Sequence, residues 1–266
     1  MKFAAGLLLI ATVYAFQQPF KQYPGIEHFT YPLPPDYREK TEFAFARLMY
    51  PPGWNNGYRG RDDDWHTGIS LWSQDFPPAD RHFSLALRRL SRVHVRSVEQ
   101  VVNLDDGDEV YNWPWLYAVQ VGEWGITDDQ AAKLRDYCLH GGFFMADDFH
   151  GTIEWGVFLE SMHRVFPDRQ IVELENADPI FHTVYDLDDR IQIPGAEHLP
   201  QGYKLDGKGA HWRAILDDRG RVMIAISFNS DIGDAWEYAD DPYYPEKFTG
   251  LAIRIGVNYV VYAMTH

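Results

Sequence analysis

The stretch from Thr127 to Val165 constrains the fold more than any other, because it reads as helix, strand and helix with little chain left between them. Thr127-Asp128-Asp129-Gln130 has the spacing of a capping box, Ala131, Leu134 and Cys138 share one helical face, and Gly141-Gly142 stops the helix. Phe143-Phe144-Met145-Ala146 is then a short apolar run suited to a buried strand. Gly151-Thr152 opens a second helical pattern that puts Ile153, Val157, Phe158, Met162 and Val165 on one face. A strand entered and left by helices belongs to an α/β sheet, where ligands sit beyond the carboxyl ends of the parallel strands. Asp147 and Asp148 stand at such an end.

The flanking chain continues the alternation. Glu42 to Tyr50 predicts a first strand, stopped by Pro51-Pro52-Gly53, and Asp80 is placed to cap a helix with Phe83, Leu87 and Leu90 on its inner face. Val93 to Leu104 predicts a second strand with its connection, and Trp115 to Gly122 is a continuous apolar run of the kind buried on both faces. Gln170 to Leu174 predicts another short strand, and Asp178 to Leu187 a turn and a hydrophobic crossing. His211–Leu216 and Val222–Phe228 are joined as a hairpin across Asp217-Asp218-Arg219-Gly220. Thr249 to Thr265 is helical and apolar nearly all round, short for a bilayer and interrupted by Arg254 and Asn258, so it predicts a buried terminal helix. Strands alternating with helices in this way imply a mostly parallel sheet covered on both faces.

Length and charge bound the function. With 266 residues the chain can bury one substantial core. A net charge of -15 excludes nucleic acid as the expected partner, since that binding needs a basic surface; Arg88, Arg89, Arg92 and Arg96 read as a solvated helix and strand edge. The single cysteine, Cys138, excludes an intramolecular disulfide and a multi-cysteine zinc site. Lys2 followed by an apolar run to Val13 and small residues near Ala15 has the form of a secretory signal peptide over residues 1–16, with an uncleaved membrane anchor as its rival. Residues 17–41 carry Pro19, Pro24, Pro32, Pro34 and Pro35 and predict an extended linker on the surface of a domain spanning 42–266. Export to the periplasm or beyond follows from the leader, and an envelope protein is a candidate partner.

Polar groups at four strand ends converge on one rim if the sheet is parallel: Tyr50, Glu123 with Trp124, Asp147 with Asp148, and Asn229 with Asp231. His150 and Trp236 extend this candidate ligand-binding set. Neighbouring carboxylates can share a proton, hold a cation or accept hydrogen bonds from a polyol, and Asp147, Asp148 and Glu123 are the candidate acid and base of any catalysis. A helix dipole satisfied by the same acids is the structural alternative. Phosphate is disfavoured where a crevice is already negative, and no G-x-G-x-x-G or P-loop spacing follows a predicted strand, so no nucleotide or other cofactor is expected. His150 and Glu154, four apart, offer a minority zinc reading that would recruit Asp147, Asp148, His66 or His182. The tryptophans and tyrosines in predicted loops, among them Trp54, Tyr58, Trp65, Trp72, Tyr243 and Tyr244, suit either sugar stacking or closure of the core. Arg61-Asp62-Asp63-Asp64-Trp65-His66 sits in the longest predicted loop and lacks the spacing of an EF-hand.

From about Glu42 onward, four segments resemble the uncharacterised bacterial family DUF4159: Gly141 to Asp148, Asp178 to Leu187, Ser227 to Glu237, and Arg254 to Ala263. The resemblance implies an α/β three-layer sandwich with a mostly parallel sheet, flavodoxin-like or class I glutamine amidotransferase-like, similar also to the ThuA-like group associated with sugar metabolism. It implies no established activity. Glutamine amidotransferases carry a cysteine on the turn where this chain has Asp147 and Asp148, whereas Cys138 precedes the strand, so thiol chemistry is not expected. The combined expectation is an exported domain that binds a neutral or cationic polar ligand such as a carbohydrate or cell-wall fragment, the alternative being a carboxylate-based, metal-assisted hydrolase of glycosides or related substrates.

Overall fold

Short strands that are apolar on both sides have only one stable place, the middle of a sandwich, and the computed structural model puts them there. It describes residues 20–53 and 64–266. The leader at 1–16, the linker start at 17–19, Trp54, Tyr58, Arg61, Asp62 and Asp63 lie outside the described residues. In chain order the strands are β1 (Ala46–Met49), β2 (Gln100–Asn103), β3 (Trp115–Ala118), β4 (Phe143–Ala146), β5 (Ile171–Glu173), β6 (His211–Leu216) and β7 (Val222–Phe228). They form one sheet in the order β2-β1-β3-β4-β7-β6-β5. The first four and β7 run parallel, and β5 and β6 add antiparallel pairing at one end.

The helices are α1 (Pro78–Leu90), α2 (Asp128–Leu139), α3 (Gly151–Val165), α4 (Ile232–Glu237) and α5 (Glu246–Thr265). Side chains alternate across each strand, which sorts the core into two clusters. Leu48, Leu116, Phe144, Ile224 and Ile226 meet α2 and α3, while Phe45, Trp115, Tyr117, Phe143 and Met145 meet α1, α4 and α5. The three-layer α/β sandwich follows directly from that alternation.

Thr127 and Gln130 make the reciprocal capping box at the start of α2. In α3, Phe158, Met162 and Val165 are buried as the pattern predicts, but Ile153 is 81% exposed because the helix begins at Gly151 and turns that position outward. The predicted cap at Asp80 is replaced by Pro77, with no side-chain cap. Asp80 instead enters the core, and its carboxylate lies 3.0 and 3.1 Å from Nε of Arg47 in β1. Arg96 is likewise buried rather than solvated, donating to the carbonyls of Val98 and Glu99. The stretch Asn229 to Glu237, expected as a loop, contains α4, with Asp231 accepting a hydrogen bond from the amide of Asp234. Residues 20–41 lie along the α1 side, held by Nη1 of Arg81 on the Pro32 carbonyl at 2.8 Å and by Arg88 on Asp36 and Glu39 at 2.7 Å. No described helix is long and apolar enough to cross a membrane.

The Arg47 guanidinium is fully occupied, since Nη1 also donates to the carbonyls of Trp72 and Gln74 at 3.3 and 3.0 Å. Burial works against its charge, and Asp80 more than restores it, so the pair is held ionised in the core. Breaking one side strands the other charge. Arg47→Met should therefore cost about 3–5 kcal/mol in urea unfolding, and Arg47→Met with Asp80→Leu should recover most of the loss. Equal stability of the single and double variants would show that the pair does not set the cost.

Candidate functional site

Where β4 ends, the pleat sends its two acids to opposite sides of the sheet. Asp147 turns toward α4 and accepts from the Tyr117 hydroxyl at 2.8 Å and from the amides of Ile232 and Gly233 at 3.0 and 2.9 Å. Asp148 turns toward α3, accepting from Nε2 of Gln120 at 2.6 Å and pairing with Nε2 of His150 at 3.0 Å. Asp148 has φ +48° and Gly151 φ +72°, so the connection from β4 to α3 is a sharp left-handed turn. A non-glycine residue in that region is backbone strain placed beside polar groups.

The two acids are electrostatically unlike. Burial and the neighbouring Asp148 push Asp147 up to about 8. Burial also opposes the Asp148 charge, but Lys204, with Nζ 3.9 Å away, and His150 hold it below the usual carboxylate range. Glu154, whose Oε2 accepts from the His150 amide at 2.6 Å, is raised to about 7 by burial. Lys204 thus faces Asp148, Glu154, Asp231 and Glu123, and His150 and His198 are the other basic groups that act on Asp148.

On the α4 side the acids gather further. Asp75, Asp231 and Asp234 place carboxylate oxygens within 4.8 Å of one another, and Asp148, His150 and Asp231 form a second such group. Burial first, then neighbouring carboxylates, raises Asp75 and Asp231 well above the ordinary range and Asp234 to about 6; Asp234 acts most on Asp75, and Asp148 on Asp231 and Asp234. Gly233 permits the close approach, because a Cβ there would lie 2.2 Å from Oδ2 of Asp75. Asp75, Asp234, Lys204 and Tyr117 were not singled out by sequence. Asp75 and Lys204 sit in stretches with no helical or strand period, so only the third dimension brings them in.

The expected rim is therefore assembled in part. Asp147, Asp148, His150, Asn229 and Asp231 do come together: Oδ1 of Asn229, at φ +66°, accepts from the Gly151 amide at 2.9 Å. Glu123 is half-buried on the wall of a groove of about 940 Å³ that runs past Gly122, Glu154, Ile153 and Leu205. The aromatic members are core residues instead. Tyr50 is buried with its hydroxyl on the Val119 carbonyl, Trp124 is sandwiched against Phe144 and Phe158, and Trp236 stacks on Phe83 at 4.4 Å. They close the layers around the strand ends, so the sugar-stacking role expected of Trp124 and Trp236 has no free ring face behind it. Tyr243, by contrast, is exposed. His66 pairs with Asp64, and His182 with Asp186 and the Asn176 carbonyl, which leaves both engaged outside the acid cluster. Cys138 is buried inside α2 with its thiol pushed up to about 12 by burial, as a core residue rather than a nucleophile.

A family model described as a domain of unknown function, DUF4159, matches residues 65–264. The chain belongs to that family. The match takes in every strand after β1 and all the acids of the cluster. No curated protein matches the chain.

The acids of this DUF4159 domain set the sign of its pH dependence. Asp147, Glu154 and Asp234 keep protons in the fold at pH values where the unfolded chain, with carboxylates near their ordinary values of 3.8 and 4.5, has released them. Stability that these groups contribute at low pH is lost as pH rises through their folded values. Asp148 acts oppositely, but only where pH falls below the ordinary carboxylate range. In a chelating buffer the thermal midpoint should accordingly fall from about pH 5 to about pH 8, and Asp147→Asn should flatten the slope. A midpoint that climbs over this interval would contradict the assigned directions.

Proposed function

We propose that the chain is an exported binding module whose acidic hollow, at the carboxyl ends of β3, β4 and β7, takes a cationic polar ligand. The observation that carries this reading is the imbalance between acids and bases: Asp148, Glu154, Asp231 and Glu123 surround Lys204, with Asp75, Asp147 and Asp234 behind them, and several are raised so far that they hold protons a cation could displace. A positive ligand relieves that imbalance, and low dielectric makes the gain larger than at an exposed site. The groove of about 940 Å³ beside these acids, lined by Glu123, Glu154 and Arg164 but not by Asp148 or Asp231, lies within the size range of small-molecule sites, and its exposed residues Ile153 and Leu205 suit a ligand with an apolar portion. With Trp124 and Trp236 buried, the two indoles expected at the rim give a neutral sugar no face to stack on, which favours the cationic half of the expectation over the carbohydrate half. Export rests on the apolar leader alone.

Spermidine, as a defined organic cation, should bind the mature chain in calorimetry, with affinity that weakens as salt rises. Glu154→Gln should reduce that affinity roughly tenfold, the scale of one lost charge-assisted contact. Neutral oligosaccharides binding more tightly than spermidine, with no salt dependence, would sink the reading.

Hydrolysis is supported by one specific feature, the left-handed turn that holds ionised Asp148 against His150. Turnover of glycosides or esters that disappears in Asp148→Asn, with folding intact by circular dichroism, would favour the enzyme; a panel without turnover would leave the binding module.

A further inference from the structure

Within the hollow, one group of acids is built differently from the rest. Oδ2 of Asp147 and both oxygens of Asp148 have hydrogen-bond donors, but no amide, hydroxyl or cationic side chain among the described residues donates to Asp75: both carboxylate oxygens are buried, in a residue only 1% exposed, and the one bond open to them is a proton shared with Asp234. Such a group costs free energy unless a proton or a cation satisfies it. Its oxygens point at Asp231 and Asp234, within 4.8 Å. No ion pair among the described residues involves any of the three. The nearest guanidinium, that of Arg47, is already spent on Asp80 and two carbonyls.

Remaining lone pairs also converge. Oδ1 of Asp231 caps the Asp234 amide and Oδ2 of Asp234 accepts from the Ala196 amide at 2.6 Å, which fixes both carboxylates. A Cβ on Gly195 would lie 2.5 Å from Oδ2 of Asp231 and 2.9 Å from Oδ2 of Asp234. Glycine at 195, like glycine at 233, keeps side-chain carbon out of the space between these acids. Oδ1 of Asp147, buried and without a donor, adds an unsatisfied acceptor on the same side of the sheet.

We infer that Asp75, Asp231 and Asp234 hold one hard divalent cation, of the magnesium, manganese or calcium class. The inference rests on the cationic-ligand reading above and names one cation within it. Oxygen-only carboxylate donors select such ions over zinc or copper, which favour nitrogen and sulfur. The second group, Asp148 with His150 and Asp231, contains a nitrogen donor but is the weaker host. Gln120 and His150 already occupy Asp148, and Lys204 contributes a positive charge 3.9 Å away. An ion there would sit against that charge, whereas of the Asp75 group only Asp231 faces Lys204.

The test uses the full mature chain, stripped with chelator and titrated with Mn²⁺ by electron paramagnetic resonance and calorimetry. One Mn²⁺ per chain is expected, displaced by Mg²⁺ or Ca²⁺, together with a rise in thermal midpoint. Asp75→Asn preserves side-chain volume and should weaken Mn²⁺ by roughly tenfold or more, in line with losses seen on altering metal-site residues. Circular dichroism and the midpoint of the metal-free variant establish that it folds. Should Asp75→Asn itself fail to fold, Asp234→Asn, at the less buried acid, is read in the same way. Absence of Mn²⁺ binding while spermidine still binds would overturn the metal site and spare the broader reading. Loss of both would overturn both. Binding abolished by His150→Ala and untouched by Asp75→Asn would put the ion on the other group and overturn this assignment.

Discussion

The structure depends on a rule of exclusion: a strand covered on both faces can present polar side chains only where it ends or where a buried partner satisfies them, as Asp80 does for Arg47 in β1. β3 and β4 are buried throughout, so Tyr117, Asp147 and Asp148 meet at the single edge where hydrogen-bonding groups are tolerated. Asp147 then ties three elements together by accepting from β3 through Tyr117 and from the first amides of α4. The hydrogen bonds that satisfy one buried acid are what place α4, and α4 in turn carries Asp231 and Asp234 to the edge. Fold and site have a common origin in the need to satisfy that carboxylate.

Much of this was legible in the chain. The capping box at Thr127, the glycine stop at Gly141 and the apolar run 143–146 are local signals with local causes, and they identify α2 and β4 without tertiary help. The divergence of Asp147 and Asp148 follows from the pleat. What the sequence conceals is whatever depends on a distant partner. Asp80 reads as a cap because an acid beside a helix start usually is one, yet Arg47 from β1 competes for it and wins, since a guanidinium buried without a carboxylate would be far more costly than an uncapped turn. Trp124 and Trp236 read as rim aromatics because they sit beside polar turns. Indole rings offer so much apolar area that the gaps between layers take them first.

Asp75 shows the same limit from the other side. Its neighbours Gln74, Phe76 and Pro77 carry no period, and nothing local marks it as more than a loop acid. Its importance comes from facing Asp231 and Asp234, contributed by a segment more than a hundred and fifty residues away in the chain. A cluster assembled from the segment before α1 and the start of α4 cannot be read from spacing, because no helical or strand repeat links Asp75 to the other two. Both glycines whose missing side chains leave room for it, Gly195 and Gly233, would pass in sequence as ordinary turn residues.

Burying this many acids also bears on why they persist. Burial raises Asp75, Asp231 and Asp234, neighbouring carboxylates add to it, Asp148 foremost for Asp231 and Asp234, and protonation relieves the repulsion only by removing the charge. A fold under selection for stability alone would lose such a cluster readily, since apolar residues of similar size are usually at least as stable in buried positions. The chain instead spends a strained turn at Asp148, two glycines and the amides of α4 and Ala196 on holding the acids in place. That combination of cost and fixed geometry is what the proposed cationic site requires, since free energy stored by crowding acids would be released on the entry of a positive partner.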